Sequence, residues 1–362
     1  MEENTRLLQI SFTRLLGKFD QSFIREIVRQ SGWEIKILTP AVWRPASGQQ
    51  IVLEKEFDPE YEILTEDCRF NGNRYFAYYP HYLKWLLQIY QPHLIHFLDN
   101  PFPLTRRLLF YYRNTFLPDS HLILQSSSFP LEKGLSMLPF KKGDGIFFPG
   151  IIKDNPPPAA LKKTLLHYSP PAVNTRAFHP RNLPELLEKI SPSGRPVIGI
   201  IESEQSRRVL QRALLAVRNI PAQLLVIGGR QPFSFSANSN ILQMEAATQQ
   251  ELAQFFNCMD IFLLPESGKG LEAGLQALSS GIPVVYGHSP FMEAHFGEGG
   301  QSFAAGDLQD LRRTLTLLLE NEDRRRVMGW RGRRYVRQNY SLSTAAQNIL
   351  EGYRALLNIR VQ

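Results

Sequence analysis

The sequence predicts an α/β protein with two Rossmann-like, doubly wound domains that face each other across a cleft. The chain has 362 residues, and because one hydrophobic core rarely serves so many, two domains are expected. In both halves, short apolar runs that suit buried strands alternate with segments whose apolar residues recur at helical spacing. Such alternation favours right-handed crossovers and parallel sheets that are covered on both faces.

The first half of the chain begins as strand, helix, strand. Residues 7–12 form an apolar run, residues 20–31 show helical periodicity, and a second apolar run covers 33–38. The region 41–79 is less regular, and we expect an extra hairpin or long loops there. The same criteria predict further helices at 80–90 and 103–116 and further strands at 93–98, 121–125 and 146–148.

A break in this pattern marks the predicted domain boundary. Asn155 is followed by three prolines, and the stretch 168–196 is rich in proline with few regular signals. We therefore predict a first domain at 1–165, a linker at 166–195 and a second domain at 196–340, with the last helix, 341–362, returning to the first domain.

The second domain repeats the alternation of strands and helices. The predicted strands are 196–201, 223–227, 261–264 and 283–286, and the predicted helices are 207–217, 249–257 and 270–280. In open sheets of this kind, ligands bind beyond the carboxyl ends of the strands. The loops that follow the strands are therefore where we expect the functional residues.

Composition excludes several classes of protein. With 43% hydrophobic and 21% charged residues, the chain is typical of globular proteins. No apolar run is long enough to cross a bilayer, and the N-terminus carries acids rather than a basic leader, so a cytoplasmic protein is predicted. Cys68 and Cys258 lack histidine partners at ligand spacing, so neither a metal site nor a disulfide is expected.

Much of the net charge of +7 lies near the C-terminus, in arginines at helical spacing. These arginines are Arg324, Arg325, Arg326, Arg331, Arg333, Arg334 and Arg337. Such a run is more typical of a solvated helix face than of a binding site. Because no aromatic–basic motif of the recognised kinds accompanies the charge, no nucleic-acid partner is expected.

One segment of the second domain carries a family likeness. Residues 251–285 read ELAQFFNCMDIFLLPESGKGLEAGLQALSSGIPVV. This segment resembles the donor-binding signature of family 4 glycosyltransferases. In that signature, a helix and an aspartate lead into an apolar strand that ends in proline, and a Glu/Gly-rich loop and a helix then close on a Gly-x-Pro-Val-Val turn. Asp260, Pro265, Gly281 and Pro283 occupy the matching positions.

Other segments resemble the same family in the correct order. PPAVNTRAFHP at 170–180 is similar to its interdomain motif, QLLVIGG at 223–229 to a strand with a glycine turn, and 306–341 to its C-terminal helices. In the first domain, 25–40 and the strand at 93–98 match an early strand–helix–strand unit. The resemblance implies a GT-B fold and transfer of a sugar from a nucleotide-diphosphate sugar to a glycan, lipid-linked or small-molecule acceptor, with retention and without metal or other cofactor.

On the donor side, the chain departs from the residues that the family uses. The family places a cation pair after the first strand of this domain, but here the loop reads GIIESEQS and the nearest cations are Arg207 and Arg208. The two family glutamates align with Gly268 and Gln276, of which Gln276 can still hydrogen-bond a ribose diol. Glu266 is the substitute for the sugar-side carboxylate, with helix capping as its alternative role. The remaining predicted donor residues are Gly229, Gly270, His288 and Glu293.

On the acceptor side, the family has a glycine loop after the first strand and a histidine after the strand predicted at 121–125. Gly17 fits the glycine loop, whereas Ser127 stands near the place of the histidine, which makes general acid–base chemistry there doubtful. Asp99, at the carboxyl end of its strand, is placed for an acceptor hydroxyl, and His96 fits a core histidine. The predicted catalytic residues are therefore Glu266, Asp99 and Ser127.

Two further interpretations remain open. Because the cation pair, the glutamate pair and the histidine of the family are all altered, the chain could instead be a non-catalytic GT-B homologue that binds a glycan or scaffolds another enzyme. The stretch 104–116 mixes Arg106, Arg107 and Arg113 with leucines and aromatic residues. This mixture suits peripheral contact with an anionic membrane, and it suits equally a helix packed in the core.

The acidic loop GIIESEQS leads to a prediction about the leaving group. Carboxylates near a diphosphate disfavour its binding unless cations or a helix N-terminus offset them. Since the charge on the departing diphosphate grows toward the transition state, replacing Arg207 and Arg208 together by alanine is expected to lower kcat far more than it weakens acceptor binding. Steady-state kinetics measures both quantities, and equal turnover in the double variant and the parent would identify these arginines as surface residues.

Overall fold

The computed structural model describes residues 5–12, 18–45, 50–53, 58–99, 102–125, 143–148, 164–202, 211, 214–215, 217, 220–228, 240–246, 248–265 and 270–358. The structural statements below concern these residues. The chain divides into two compact units. The first contains Met1–Ala172 together with Leu342–Gln362, and the second is Val173–Ser341.

The described strands of the first unit are β1 (Arg6–Ile10), β2 (Glu34–Thr39), β3 (Val42–Trp43), β4 (Ile51–Val52), β5 (Glu62–Thr65), β6 (Leu94–Phe97), β7 (His121–Gln125), β8 (Gly145–Phe148) and β9 (Leu165–Tyr168). Seven of them form one sheet in the order β5-β2-β1-β6-β7-β8-β9. Neighbours in this sheet pair in parallel. β3 and β4 form a separate antiparallel hairpin.

The described strands of the second unit are β10 (Val197–Ile201), β11 (Gln223–Ile227), β12 (Ile241–Met244), β13 (Ile261–Leu264), β14 (Val284–Gly287) and β15 (Gly300–Phe303). They form a parallel sheet in the order β12-β11-β10-β13-β14-β15. Alternate residues enter different cores, as expected of a sheet buried on both faces. Leu224 and Val226 belong to one buried cluster, and Leu225 and Ile227 belong to the other.

The described α-helices are α1 (Lys18–Ser31), α2 (Tyr82–Tyr90), α3 (Pro103–Phe116), α4 (Pro184–Ile190), α5 (Gln249–Phe256), α6 (Leu271–Ser279), α7 (Pro290–Phe296), α8 (Leu308–Leu319), α9 (Glu322–Asn339) and α10 (Leu342–Asn358). A 3₁₀ turn covers Gly297–Gly299. Helix α5 begins with a complete capping box, in which Thr248 accepts from the backbone N–H of Glu251 and the Glu251 carboxylate accepts from that of Thr248.

Helix α10 packs against the first unit although it follows the second unit in the chain. Gln30 of α1 donates to the backbone oxygen of Ser343 at 3.0 Å. Deeper in the interface, the Tyr353 hydroxyl lies 2.7 Å from Nδ1 of the fully buried His96 and accepts from Gln9 at 3.2 Å. His96 is therefore a core histidine, as its apolar strand predicts. The Tyr353 hydroxyl joins α10 to β1 through Gln9 and to β6 through His96.

Helix α9 lies against the second unit through glycines. A Cβ atom on Gly329 would stand 1.9 Å from the carbonyl oxygen of Gly281, and one on Gly332 would stand 2.6 Å from Cδ2 of Leu278. Near the start of the helix, the buried Arg325 donates to the last carbonyls of α8 at 2.8 and 2.7 Å and lies 3.3 Å from Asp260. The helix backbone thus touches the turn that follows α6 directly.

The predicted fold class is confirmed, since both units are α/β structures with parallel sheets. The hairpin expected within 41–79 is β3–β4, and the predicted helix 207–217 falls largely outside the described residues. Further elements were not predicted, namely β5, β9, β12, α7 and β15. The strands β12 (ILQM) and β15 (GQSF) are four residues long, contain polar residues and are mostly half-buried, so neither has the apolar run that marks a central strand. Helix α4 lies within the stretch predicted as a linker.

The contact at Gly329 yields a stability prediction. Alanine at a helix interior is favoured over glycine by up to about 1 kcal/mol, but here the added Cβ meets a backbone oxygen that cannot turn away. We expect Gly329→Ala to lower the free energy of unfolding of the second unit by about 2 kcal/mol, measured as a shift of the urea midpoint. Val327→Ala, on the exposed face of the same helix, is the control and should change it by less than about 0.5 kcal/mol. An unchanged midpoint in Gly329→Ala would contradict this packing.

Candidate functional site

The carboxyl edge of the second sheet brings together segments that are distant in the chain. β11, β10, β13 and β14 are consecutive neighbours in this sheet and run parallel. Their carboxyl ends therefore lie along one edge, followed by Glu202, Gly228, Pro265 and His288. This edge is where open parallel sheets bind ligands, and we take it as the candidate site.

The turn after β11 requires glycine. Gly228 has a φ of +92°, and a Cβ atom at this position would stand 3.2 Å from the carbonyl oxygen of Glu202. Its N–H donates to the carbonyl of Met244 at 2.8 Å, and its carbonyl accepts from Gln243 at 2.9 Å. These bonds hold the turn, so that the backbone after β11 can approach a ligand without an intervening side chain.

A second glycine stands at the start of helix α6. Gly270 has a φ of +82°, in the left-handed region, and a Cβ atom there would stand 2.7 Å from Cδ2 of Leu264. Among the described residues, which do not include 266–269, no side chain caps this helix end. The first N–H groups of an α-helix have no partner within the helix, and together with the macrodipole they favour a negatively charged group. The end of α6 is thus one feature of this edge that suits a phosphate.

Gln276 and Glu272 form a pair on helix α6. Nε2 of Gln276 donates to Oε1 of Glu272 at 3.3 Å, across one helical turn. Gln276 is 3% exposed, whereas Glu272 lies exposed in the first turn. The glutamine amide is therefore oriented by a carboxylate nearer the helix N-terminus. Glu272 is not among the predicted site residues, but its spacing of four from Gln276 along a helix is the sequence signal for this pair.

His288 and Glu293 follow β14 at the same edge. His288 is exposed and is anchored by its backbone N–H, which donates to the carbonyl of Phe303 at 2.8 Å. Glu293 is exposed in the first turn of α7. Burial, and secondly the charge of Glu293, raises the pKa of the Tyr286 hydroxyl, while a hydrogen bond with Ser302 acts in the opposite direction. Tyr286 therefore remains a neutral phenol beneath this part of the edge.

In the first unit, Asp99 joins the ends of two strands. Its Oδ2 accepts from the Ser11 hydroxyl at 2.7 Å and from the backbone N–H of Phe12. The Tyr79 hydroxyl donates to the Ser11 carbonyl at 2.8 Å, and the Phe12 ring stacks between Tyr79 and Phe102. This buried carboxylate thus holds the chain just before residues 13–17. A direct contact of Asp99 with an acceptor hydroxyl stays a prediction, and sequence reasoning missed Ser11.

Several predicted site residues lie outside the described part of the chain. These are Gly17, Ser127, Arg207, Arg208, Gly229, Glu266 and Gly268. Among the described residues, no group of three histidines, cysteines or acids is arranged to hold a metal ion. Cys68 and Cys258 are buried, and burial raises the pKa of each thiol to about 11.

Helix α3, the stretch considered for membrane contact, is packed into its unit. Arg106 is buried, and burial, with a further effect of Arg107, lowers the pKa of its guanidinium to about 10. Arg113 lies 3.5 Å from Asp144. Only Arg107 of the three arginines is exposed, which favours the packed-helix interpretation. Within the described residues, no helix is both long enough and apolar enough to span a bilayer.

Comparisons with known proteins agree with this architecture. Residues 207–351 match a family model described as glycosyl transferase-like. Sucrose-phosphate synthase from Thermosynechococcus elongatus superposes with a TM-score of 0.73 at 15% identity, over 98% of this chain and 100% of that one. The chain has the GT-B fold. The resemblance to group 1-like GT-B glycosyltransferases, stated from the sequence, is thereby confirmed.

Two other solved structures show the same GT-B fold. A glycosyltransferase from Rickettsia africae superposes with a TM-score of 0.70 at 15% identity, over 98% of this chain and 99% of that one. HepE of Anabaena, in complex with UDP and glucose, gives 0.68 at 12% identity, over 97% and 99%. No curated protein sequence matches the chain. At these identities the structural likeness establishes the fold, and the chemistry must be argued from the residues of this GT-B protein.

The pair on α6 gives a test of the site. Truncating Gln276 removes the amide and also one of the donors to Glu272. If this pair faces the nucleoside, Gln276→Ala should weaken binding of UDP, GDP or ADP by about tenfold, as expected for loss of a hydrogen bond to a charged network. Calorimetry measures the affinity. Gln250→Ala, an exposed glutamine of α5, is the matched control, and equal affinities in both variants would remove Gln276 from the site.

Proposed function

We propose that this GT-B protein is a glycosyltransferase that moves a hexosyl group from a nucleotide-diphosphate sugar to a glycan, lipid-linked or small-molecule acceptor, with retention and without a bound metal. The observation that carries the proposal is the carboxyl edge of the second sheet. The glycine turn of Gly228 lies at this edge, and α6, which begins there, carries the Gln276–Glu272 pair. The glycosyl transferase-like family match includes α6 and all later elements of this edge.

In this proposal, the second unit binds the nucleotide. The diphosphate lies against the N-terminus of α6, where glycines at 268 and 270 allow close approach of the backbone, and Arg207 and Arg208 add positive charge. The ribose hydroxyls contact Gln276, whose amide can both donate and accept. Stabilising the charge that develops on the leaving diphosphate lowers the barrier more than uniform binding of the substrate does.

The sugar and the acceptor are assigned to the remaining residues. Glu266, which follows β13, serves as the carboxylate beside the donor sugar, with His288 and Glu293 along the same edge. In the first unit, Asp99 fixes the chain that leads to Gly17, and Ser127 follows β7. An oxocarbenium-like transition state needs carboxylates of this kind close to the reacting carbon.

The alternative of a non-catalytic GT-B homologue is favoured by one observation. Glu202 follows β10, at the position from which the family's cation loop departs, and its backbone N–H donates to the carbonyl of Ile227 at 2.8 Å. An acid is thereby fixed at the carboxyl edge, where its charge opposes a diphosphate. A cytoplasmic location and peripheral membrane contact of the first unit remain proposals.

Nucleotide binding and turnover separate the two functions. A nucleoside diphosphate at 100 to 1,000 times its dissociation constant should stabilise the protein by roughly 3 to 4 kcal/mol, seen as a higher Tm in a thermal shift assay, whereas the parent nucleoside should act weakly. We expect donor hydrolysis or transfer in a screen over nucleotide sugars, and no loss of activity in EDTA.

Each outcome of this screen has a definite meaning. Stabilisation together with turnover supports the enzyme. Stabilisation without turnover over a wide range of donors and acceptors supports the non-catalytic homologue. Absence of any shift with UDP, GDP and ADP contradicts the nucleotide site itself, and loss of activity in EDTA contradicts metal independence.

A further inference from the structure

Helix α9 carries a groove lined by arginines on the second unit. Trp330, Arg333, Arg334, Arg337 and Gln338 line a groove of about 430 Å³ along the C-terminal half of the helix. Arg333 donates from Nη1 to the carbonyl of Ser279 at 2.5 Å. Ser279 ends α6, which runs back from the carboxyl edge, so the groove lies toward the amino edge of the sheet. It is therefore separate from the candidate nucleotide site.

The arginines of α9 fall into two groups. The helix has seven arginines and no lysine. Near its start and middle, Arg324 donates to Gln301, Arg325 contacts Asp260, and Arg331 lies 2.7 Å from Glu298. In contrast, Arg333, Arg334 and Arg337 have no ion pair with an acid in the described part of the chain. The groove thus brings together three arginines that no described acid neutralises, whereas Arg326, which also has no such pair, lies exposed outside it.

The spacing of the three groove arginines along α9 produces repulsion between like charges. Arg333 and Arg337 are four residues apart, and Arg334 and Arg337 three apart, which are the spacings at which like charges on a helix repel. Burial, and secondly the charge of Arg337, lowers the pKa of Arg333, as expected for a half-buried cation with a like charge one helical turn away. An anionic ligand in the groove would remove this repulsion.

The groove also has an aromatic wall. The Trp330 side chain is 61% exposed, and the Arg334 guanidinium stands over its ring, 5.8 Å from the centroid. Stacking on an aromatic face holds a guanidinium in place while leaving its edge N–H groups for a ligand. The exposed indole is itself an apolar surface for the rest of a bound molecule.

We propose that this α9 groove binds a phosphate group carried by a larger molecule. Guanidinium forks match phosphate oxygens in bidentate pairs, and the use of arginine without lysine fits that geometry. A phosphate monoester carries nearly two negative charges at neutral pH, so it balances the groove's three cations better than one carboxylate does. Soluble phosphate monoesters and phosphatidic acid, a lipid whose head group is itself a phosphate monoester, both present this chemistry. The inference does not depend on sugar transfer.

The test uses the full chain and two kinds of probe. Glycerol 3-phosphate is titrated calorimetrically, and vesicles of phosphatidic acid in phosphatidylcholine are co-sedimented beside vesicles of phosphatidylcholine alone. The test variant is Arg334→Ala with Arg337→Ala. The matched control is Arg313→Ala with Arg326→Ala, which removes the same charge from exposed positions of the same unit. Equal Tm values establish that both variants fold.

We expect affinity for at least one probe to fall about tenfold or more in the test variant and to stay near the parent value in the control. Loss confined to the anionic vesicles identifies a membrane head group, and loss with glycerol 3-phosphate identifies a soluble ester. The proposal is overturned if neither probe binds, if the two variants lose affinity equally, or if the test variant binds as the parent does. Phosphate bound at the carboxyl edge would survive the test variant, so failure here leaves the proposed glycosyltransferase untouched.

Discussion

The parallel hydrogen-bonding of β11, β10, β13 and β14 is the constraint on which the candidate site depends. Because these strands point the same way in adjacent positions, their following loops meet at one edge, although the chain places more than 60 residues between β10 and β14. The centre of this sheet tolerates only small residues at one point. A Cβ on Gly199 of β10 would stand 2.0 Å from the sulfur of Met259, so this side chain, two residues before β13, packs directly on the backbone of β10.

Glycine and buried carboxylate act at the strand ends in different ways. Gly228 and Gly270 adopt positive φ values and remove side chains from the path of a ligand. Asp99 instead supplies an acceptor for the buried Ser11 hydroxyl and the Phe12 N–H, and so satisfies groups that would be costly to bury unpaired. The first device leaves space after β11 and before α6 in the second unit, and the second fixes the backbone after β1 in the first unit. Both prepare an edge before any ligand arrives, which reduces the ordering cost of binding.

Helix α9 shows how one element serves two surfaces. Its glycine face, with Gly329 and Gly332, brings the helix backbone against the turns around α6 and β15. Its other face carries the arginines. The arginines of the helix have three different environments. Arg325 is buried and donates to carbonyls of α8, Arg331 pairs with an exposed glutamate, and the Arg334 guanidinium lies over the ring of Trp330. Exposed pairs of this kind contribute little to stability, so the energetic weight of the helix lies in its glycine contacts and in Arg325.

The sequence by itself determined the two α/β halves, the strands 121–125, 223–227 and 261–264 and the helix 103–116, because hydrophobic periodicity is a local property of the chain. It did not mark β12 and β15, which become strands only beside a formed sheet. The partners of individual side chains were decided by the tertiary structure. Asp99 meets Ser11 from 88 residues away, and His96 meets Tyr353 from 257 away, so no spacing reveals either contact. The run of arginines looked uniform in the sequence, and only the neighbours brought by folding separated Arg325 and Arg331, which pair with acids, from the three arginines that line the groove.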